Sequence, residues 1–301
     1  MTVQILLSTY NGARYLTPLI ESLLAQDSSD VGILVRDDGS IDSTIDLLRA
    51  YAATHPNVKV VCGVHLGFIK SFFKLLELAS PTADYLALCD QDDLWREDKV
   101  SRALECLRQY PPEIPTVYCS RLAVVDENLQ PLKYSDIPRR GLSFRNALVE
   151  NQVPGCTSLV NQAARRLLEQ VPSACVSHDW WIYLIVSAFG TIVYDEEPRI
   201  LYRRHVSNVF GISTGLIDTW RVKIRLFLKT GKSKLIVKQA EEFRRMYGSS
   251  LPDEHRKVIE RFLQKRTRFR DRLRYAWSCD VYRQSTRDQY ILKARIALDR
   301  L

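Results

Sequence analysis

Asp84-Tyr85-Leu86-Ala87-Leu88-Cys89-Asp90-Gln91-Asp92-Asp93 runs an apolar stretch straight into three carboxylates. Its apolar part reads as a buried strand over 84–89, because a short run of this kind suits a strand covered on both faces. Residues 3–8 (Val-Gln-Ile-Leu-Leu-Ser), 31–36 (Val-Gly-Ile-Leu-Val-Arg) and 58–62 (Val-Lys-Val-Val-Cys) read the same way. Helical spacing fills the gaps, over about 13–26, after Asp42 or Ser43 with Ile45, Leu48 and Ala52 on one face, and over about 68–79. Strands alternating with helices predict an α/β fold with a mainly parallel central sheet. Ligands of such sheets bind outside the carboxyl ends of the strands. Three polar clusters fall at those ends: Ser8-Thr9-Tyr10-Asn11, Asp37-Asp38-Gly39-Ser40 and Asp90-Gln91-Asp92-Asp93.

Three carboxylates within four residues repel one another, and a cation relieves that cost. Hard divalent ions such as Mg²⁺ or Mn²⁺ take oxygen ligands and bind through one or two carboxylates plus substrate phosphates. A plain helix start is the alternative, with Asp93 capping a helix near Trp95, but that explains one aspartate and not three. Asp37-Asp38-Gly39-Ser40 suits a nucleobase or ribose and makes an equally good turn.

Beyond Pro111 the pattern loosens. Residues 116–125 and 191–195 read as strands, and 161–170 and 179–189 as helices. From Leu216 onward the chain turns basic and helical. Residues 212–301 hold 23 Lys/Arg against 10 Asp/Glu, a net of +13, whereas residues 1–211 carry −5. The chain therefore divides into a mildly acidic body, 1–211, and a basic helical region, 212–301, facing different partners. With 46% hydrophobic residues among 301, a sizeable core is within reach, and 12 Gly with 12 Pro exclude a linker-dominated chain. Seven scattered cysteines without C-x-x-C spacing speak against a thiolate zinc site and for a reduced, intracellular chain. The start, Met1 to Leu7, reads as a first strand and not a signal peptide. The longest nearly apolar run, Trp180 to Gly190, is half of the roughly 20 residues a membrane span needs. No G-x-G-x-x-G, P-loop or G-x-S-x-G is present, which disfavours a dinucleotide reductase, a P-loop enzyme and a serine hydrolase.

Strand–Ser8-Thr9-Tyr10-Asn11, then Arg36-Asp37-Asp38-Gly39-Ser40 with Asp42, then Cys89-Asp90-Gln91-Asp92-Asp93 with Trp95, resembles in order and spacing the family 2 glycosyltransferases of GT-A fold. The flavour is that of the rhamnosyltransferase-like branch, which builds bacterial surface polysaccharides, and the resemblance covers about 1–211. It implies inverting, single-displacement transfer of a sugar, rhamnose among the candidates, from a nucleoside diphosphate sugar to a glycan or lipid-linked acceptor. It assigns Thr9, Tyr10 and Asp38 to the nucleotide sugar, Asp90 to ribose and diphosphate, and Asp92 and Asp93 to a Mg²⁺ or Mn²⁺ cofactor. Sequence does not decide which of Asp92 and Asp93 faces the ion.

The resemblance also points to Asp179, in Ser177-His178-Asp179-Trp180-Trp181, as the base that takes the acceptor's proton. Helix capping is its plain alternative. Arg203 and Arg204 are placed to meet diphosphate oxygens, and His205 matches a histidine that completes the metal site in many such enzymes. Gly155-Cys156-Thr157-Ser158 reads equally as a loop near the donor sugar or as a turn leading into a strand.

In the basic region Ile217, Trp220, Ile224, Phe227 and Leu228 share a helical stripe flanked by Arg221, Arg225 and Lys229. Further helices are expected over 232–247 and 253–277, the latter with Val258, Ile259, Phe262, Phe269, Leu273 and Trp277. Mutual packing, a subunit interface and an anionic membrane surface all fit them. Nucleic acid is disfavoured, because an acidic body repels phosphate backbones. The expected location is the cytoplasm, peripheral at the inner face of the cell membrane. The rival reading is a non-catalytic nucleotide-sugar-binding or scaffold protein on the same fold.

Overall fold

The structure, a computed structural model, describes residues 2–28, 30–204 and 231–301. The stripe from Ile217 to Leu228, its flanking cations and His205 lie outside the described residues. Two compact units form. One gathers residues 2–137, 153–171 and 189–204, and the other 138–152, 172–188 and 231–301. The two units exchange stretches of chain between residues 138 and 204.

The first unit holds a seven-stranded sheet of order β10-β6-β9-β4-β1-β2-β3. Strands β1 (Val3–Thr9), β2 (Val31–Asp37), β3 (Val58–Cys62) and β4 (Tyr85–Cys89) are parallel neighbours. β6 (Thr116–Ser120) and β10 (Thr191–Asp195) pair parallel at the far edge. Between the two groups, β9 (Leu159–Asn161) runs antiparallel to both β4 and β6. The expected α/β fold with a mainly parallel sheet is what forms. All five residues of β4 are buried, as are Ile5, Leu6 and Leu7 of β1, so a continuous apolar run replaces alternation at the sheet centre. Helices α1 (Ala13–Leu24), α2 (Thr44–Thr54), α3 (Phe68–Leu78), α4 (Lys99–Leu107) and α6 (Gln162–Leu167) belong to this unit.

The strand expected over 116–125 is two strands in different sheets. After β6 the chain leaves the main ladder: Arg121 N–H donates to the Asp195 carbonyl and Leu122 N–H to Ser135 Oγ. β7 (Ala123–Val125) then joins β5 (Leu94–Trp95), β8 (Pro131–Tyr134) and β11 (Ile200–Arg203) in a second sheet of order β5-β11-β7-β8.

The second unit is helical among the described residues: α5 (Phe144–Ala147), α7 (His178–Phe189, to residue 188), α8 (Gly231–Tyr247), α9 (Asp253–Leu263), α10 (Phe269–Ser278) and α11 (Thr286–Ala297). Trp181, Phe243 and Phe144 pack at its centre, with ring centroids 5.6 Å apart for Trp181–Phe243 and 5.5 Å for Phe144–Phe243. The helix expected over 253–277 breaks at Gln264, which turns extended. Arg266 donates to the Arg261 and Gln264 carbonyls there, supplying partners that the interrupted helix no longer provides. The expected stripe divides with it: Val258, Ile259 and Phe262 are buried, whereas Phe269, Leu273 and Trp277 face solvent. No helix among the described residues is long and apolar enough to cross a membrane.

Candidate active site

Because β4, β1 and β2 are adjacent and parallel, their carboxyl ends bring the three polar clusters together. Thr9 pairs in register with Asp37, and Leu7 with Cys89. Gln91 ties two of the ends: its amide oxygen accepts the Tyr10 N–H at 2.8 Å and its Nε2 donates to the Tyr10 carbonyl at 3.1 Å. Thr9 is buried and donates through Oγ1 to Asp37 Oδ2 at 3.0 Å. Asp37 also accepts the N–H groups of Gly39 and Ser40 at 3.1 and 2.8 Å, and the Ser40 hydroxyl at 2.5 Å. That turn places Gly39 at φ +86°, a conformation a side chain would strain.

Asp38 is buried against Arg36 and accepts the N–H groups of Leu66 and Gly67, each at 2.8 Å. Burial alone would raise its pKa. The hydrogen bonds from Leu66, Arg36 and Gly67, with the Arg36 charge, outweigh burial and hold the carboxyl below its usual range. Above it His65 Nδ1 stands 3.0 Å from Asp38 Oδ2, and the His65 ring lies 4.3 Å from that of the exposed Tyr10. These two rings form an aromatic platform at the strand ends.

The acidic cluster is split by depth. Asp90 and Asp92 are half-buried, whereas Asp93 is fully buried. Asp93 Oδ1 accepts the Arg203 N–H at 3.1 Å, and Oδ2 has no well-formed hydrogen bond among the described residues. Oxygens of Asp93 and Asp90 stand with the Cys156 sulfur, all within 4.8 Å of one another. Burial, then the charges of Asp92 and Asp90, push the Asp93 carboxyl well above the carboxylate range. A divalent cation would relieve that repulsion. Two carboxylates, one with a buried oxygen lacking a good donor, fit a hard ion, whereas the thiol is a softer ligand. Of the expected metal ligands, then, Asp93 joins this group, Asp92 lies outside it and His205 is not described.

Arg203, expected at the diphosphate, is buried, and its guanidinium reaches inward. It donates to the carbonyls of Asp92 at 3.0 Å and Glu127 at 2.7 Å and lies over the Tyr15 ring. Strand β11 thereby fixes the Asp92-Asp93 turn. Arg204, half-buried, donates its N–H to the Val125 carbonyl at 2.9 Å.

Sequence reasoning passed over Lys99, because lysine is seldom fully buried. Its Nζ donates to the Cys156 carbonyl at 2.7 Å and lies 3.1 Å from the Trp95 ring centroid. Burial pulls its pKa down to about 7, against the opposing pull of Cys89, Cys156 and the nearby aspartates. Lys99 thus holds the Gly155–Thr157 turn, a short 3₁₀ segment leading into β9. Lys99 opens α4, four residues after Trp95 on β5, so no helical spacing links the two in sequence.

In the helical unit Asp179 lies inside the first turn of α7, since Trp181 N–H already donates to the Ser177 carbonyl. Its carboxylate accepts Asn151 Nδ2 and the Trp180 N–H, each at 2.8 Å. Beside it, burial lowers the pKa of His178 to about 4, although the Asp179 charge works the other way, so the imidazole is neutral at neutral pH.

Carboxylates thus gather at the carboxyl ends of adjacent parallel strands, with the Tyr10–His65 ring pair beside Asp38. Residues 4–170 match the family model described as glycosyl transferase family 2, and the chain belongs to that family. The dTDP-rhamnosyl transferase RfbG of Shigella flexneri is 25% identical over 223 residues, covering 68% of this chain and 73% of that protein. An uncharacterised protein of Mycobacterium tuberculosis is 25% identical over 210 residues, and the chain spans only 58% of its length. Among solved structures, S. aureus TarS in complex with UDP-GlcNAc superposes with a TM-score of 0.59 at 14% identity, covering 99% of this chain and 92% of that one. The likeness to TarS shows a shared fold.

Proposed function

We propose that the chain is a metal-dependent, inverting glycosyltransferase that takes a sugar from a nucleoside diphosphate sugar for surface polysaccharide synthesis. The gathering of Thr9, Asp38 and Asp90 at three adjacent strand ends carries this reading. Rhamnose is the favoured donor sugar, on the similarity to RfbG. The acceptor is a glycan or a lipid-linked glycan, which makes a membrane surface a working partner. Residues 1–211 form the catalytic domain in this reading, and 212–301 the basic region that meets acceptor, membrane or a second subunit.

In this assignment Tyr10, with His65, stacks on the nucleobase, and Asp38 is oriented by Arg36 and the Leu66 and Gly67 amides toward the nucleoside. Asp90 and Asp92, less buried than Asp93, face the diphosphate, and Arg204, which follows Arg203 at the end of β11, is the candidate cation for its oxygens. Asp90 and Asp93 would hold the Mg²⁺ or Mn²⁺, with Asp92 and His205 as the remaining candidates from sequence. When bound, that ion supplies Lewis-acid stabilisation to the charge growing on the diphosphate. Arg203 is a positioning residue for the carboxylate turn. Asp179 takes the proton of the acceptor hydroxyl as that oxygen bonds to the anomeric carbon. The diphosphate leaves from the opposite face with the electrons of the broken bond, which inverts the configuration.

A panel of nucleoside diphosphate sugars, assayed for diphosphate release with Mg²⁺ or Mn²⁺, tests the reading. NMR of the new linkage then reports the configuration. Turnover with inversion is expected; retention, or no turnover with any donor, contradicts it.

A further inference from the structure

Helix α10 turns three large apolar side chains to solvent: Phe269, Leu273 and Trp277 are 53%, 46% and 75% exposed. Spacings of four set them on one stripe. Tyr275 and Ala276 of the same helix are buried, so its packing side is already occupied. On the exposed side Lys293 of α11 stands 5.0 Å from the Trp277 ring centroid.

Cations border the stripe. Lys265, Arg268, Arg270 and Arg274 are all exposed. The first three have no ion pair among the described residues, and Arg274 reaches Asp271 only at 4.0 Å. Beside the stripe opens a cavity of about 350 Å³, lined by the cations Arg261, Lys265, Arg266 and Arg274 and by one carboxylate, Asp271, among others. Arg261 is neutralised by Asp280 at 2.7 Å, and Arg266 lies 3.6 Å from the Tyr275 ring centroid. Lys265 brings uncompensated positive charge to this hollow.

We propose that this face docks on an anionic phospholipid bilayer, with the Phe269–Leu273–Trp277 stripe entering the interface and the cavity receiving a phosphate headgroup. Two features select a membrane as the occupant. With Asp271 set against Arg274, the charge left over on this face, from Lys265, Arg268 and Arg270, is positive, as an anionic surface requires. The apolar residues are large, aromatic-rich and set on one helical stripe, the arrangement of a helix lying in the plane of a bilayer. The inference rests on the membrane reading above and assigns it to a face distinct from the stripe expected at Ile217 to Leu228.

Flotation of the full chain with vesicles of phosphatidylcholine, with and without phosphatidylglycerol, tests it. Wild type should float with the anionic vesicles and release as salt rises. Each cation near such a surface contributes about fivefold, so Lys265→Glu, Arg268→Glu and Arg270→Glu together should weaken partitioning at least about a hundredfold. Phe269→Ser, Leu273→Ser and Trp277→Ser together should abolish it, and these exposed positions leave the melting temperature near that of wild type. Equal flotation of either variant and wild type overturns the proposal, as does failure of wild type to float. A wild-type dimer that the serine variant splits, without change in flotation, makes the face a subunit interface instead. Full competition by inorganic phosphate makes it a free-anion site instead. Transfer to a soluble acceptor analogue, measured on the same samples, separates the two readings: lost flotation with intact transfer breaks the docking alone, and absent transfer with intact flotation breaks the enzyme reading alone.

Discussion

The carboxyl edge of β4, β1 and β2 and the helical unit are built over different sequence distances. At the strand ends, each cluster is a short contiguous motif, and the parallel order of the sheet brings the clusters side by side. The helical unit is joined by contacts across more than a hundred residues. Ser143 Oγ lies 2.8 Å from the Tyr282 hydroxyl, Asn146 Nδ2 donates to the Tyr282 carbonyl at 2.9 Å, and Arg283 donates to the Val149 carbonyl at 2.9 Å. Glu242, on α8, accepts the Ser173 N–H at 2.7 Å. The proposed donor site thus starts from contiguous motifs, later braced by Arg203 from 111 residues away, whereas the proposed base, Asp179, belongs to a unit gathered from separate stretches of chain.

The largest expected effect tests whether the helical unit contributes to chemistry at all. Asp179→Asn keeps the bond to Asn151 within reach but cannot take a proton. It should lower kcat about a hundredfold or more, while donor affinity stays near wild type. If kcat stays within a few-fold, Asp179 is only a first-turn acid of α7, and the comparison loses its functional half.

A second test probes the floor beneath the carboxylates. Lys99→Ala removes a buried side chain and leaves the Cys156 carbonyl without its 2.7 Å donor. The expected loss is about 3 kcal/mol of stability, from cavity and lost hydrogen bond together. Denaturant unfolding measures it. A loss under about 0.5 kcal/mol would mean that the floor relaxes without cost and that Lys99 does not fix the Gly155–Thr157 turn.

A smaller effect sharpens the view of the helical unit through pH. His178 titrates at about 4 in the folded chain and at its ordinary 6.5 when unfolded. Between those values the unfolded chain binds more protons, so stability falls as pH falls from above 6.5 toward 4 and is fully retained above it. The difference between pH 7.5 and pH 5 is roughly 2 kcal/mol from this group. His178→Gln should flatten that slope; an unchanged slope would assign it to other groups.

The same contrast explains what could be read from sequence. Strands β1, β2 and β4 declared themselves through apolar runs ending in polar clusters, β3 through its apolar run alone, and the family resemblance rested on those clusters. The second sheet stayed hidden, because Leu94–Trp95 and Ala123–Val125 are too short to carry a period. The burial of Arg203 stayed hidden too, since arginine beside a strand end reads as a phosphate contact. In the chain it reaches two backbone carbonyls instead. Neither the depth difference between Asp92 and Asp93 nor the buried Lys99 leaves a trace in composition. The break at Gln264 interrupts a stretch whose helical spacing looks continuous from Val258 to Trp277.

The central claim is that the acidic strand end binds a nucleoside diphosphate through a divalent ion. Isothermal titration of the wild-type chain with a panel of nucleoside diphosphates, in Mn²⁺ and in chelator, tests it directly, alongside the half-buried ligand variant Asp90→Ala, checked by melting temperature to be folded. The account predicts binding of at least one diphosphate in Mn²⁺, at least about tenfold weaker in chelator and weakened likewise by Asp90→Ala. Equal affinity in Mn²⁺ and in chelator, with the variant indistinguishable from wild type, would contradict it.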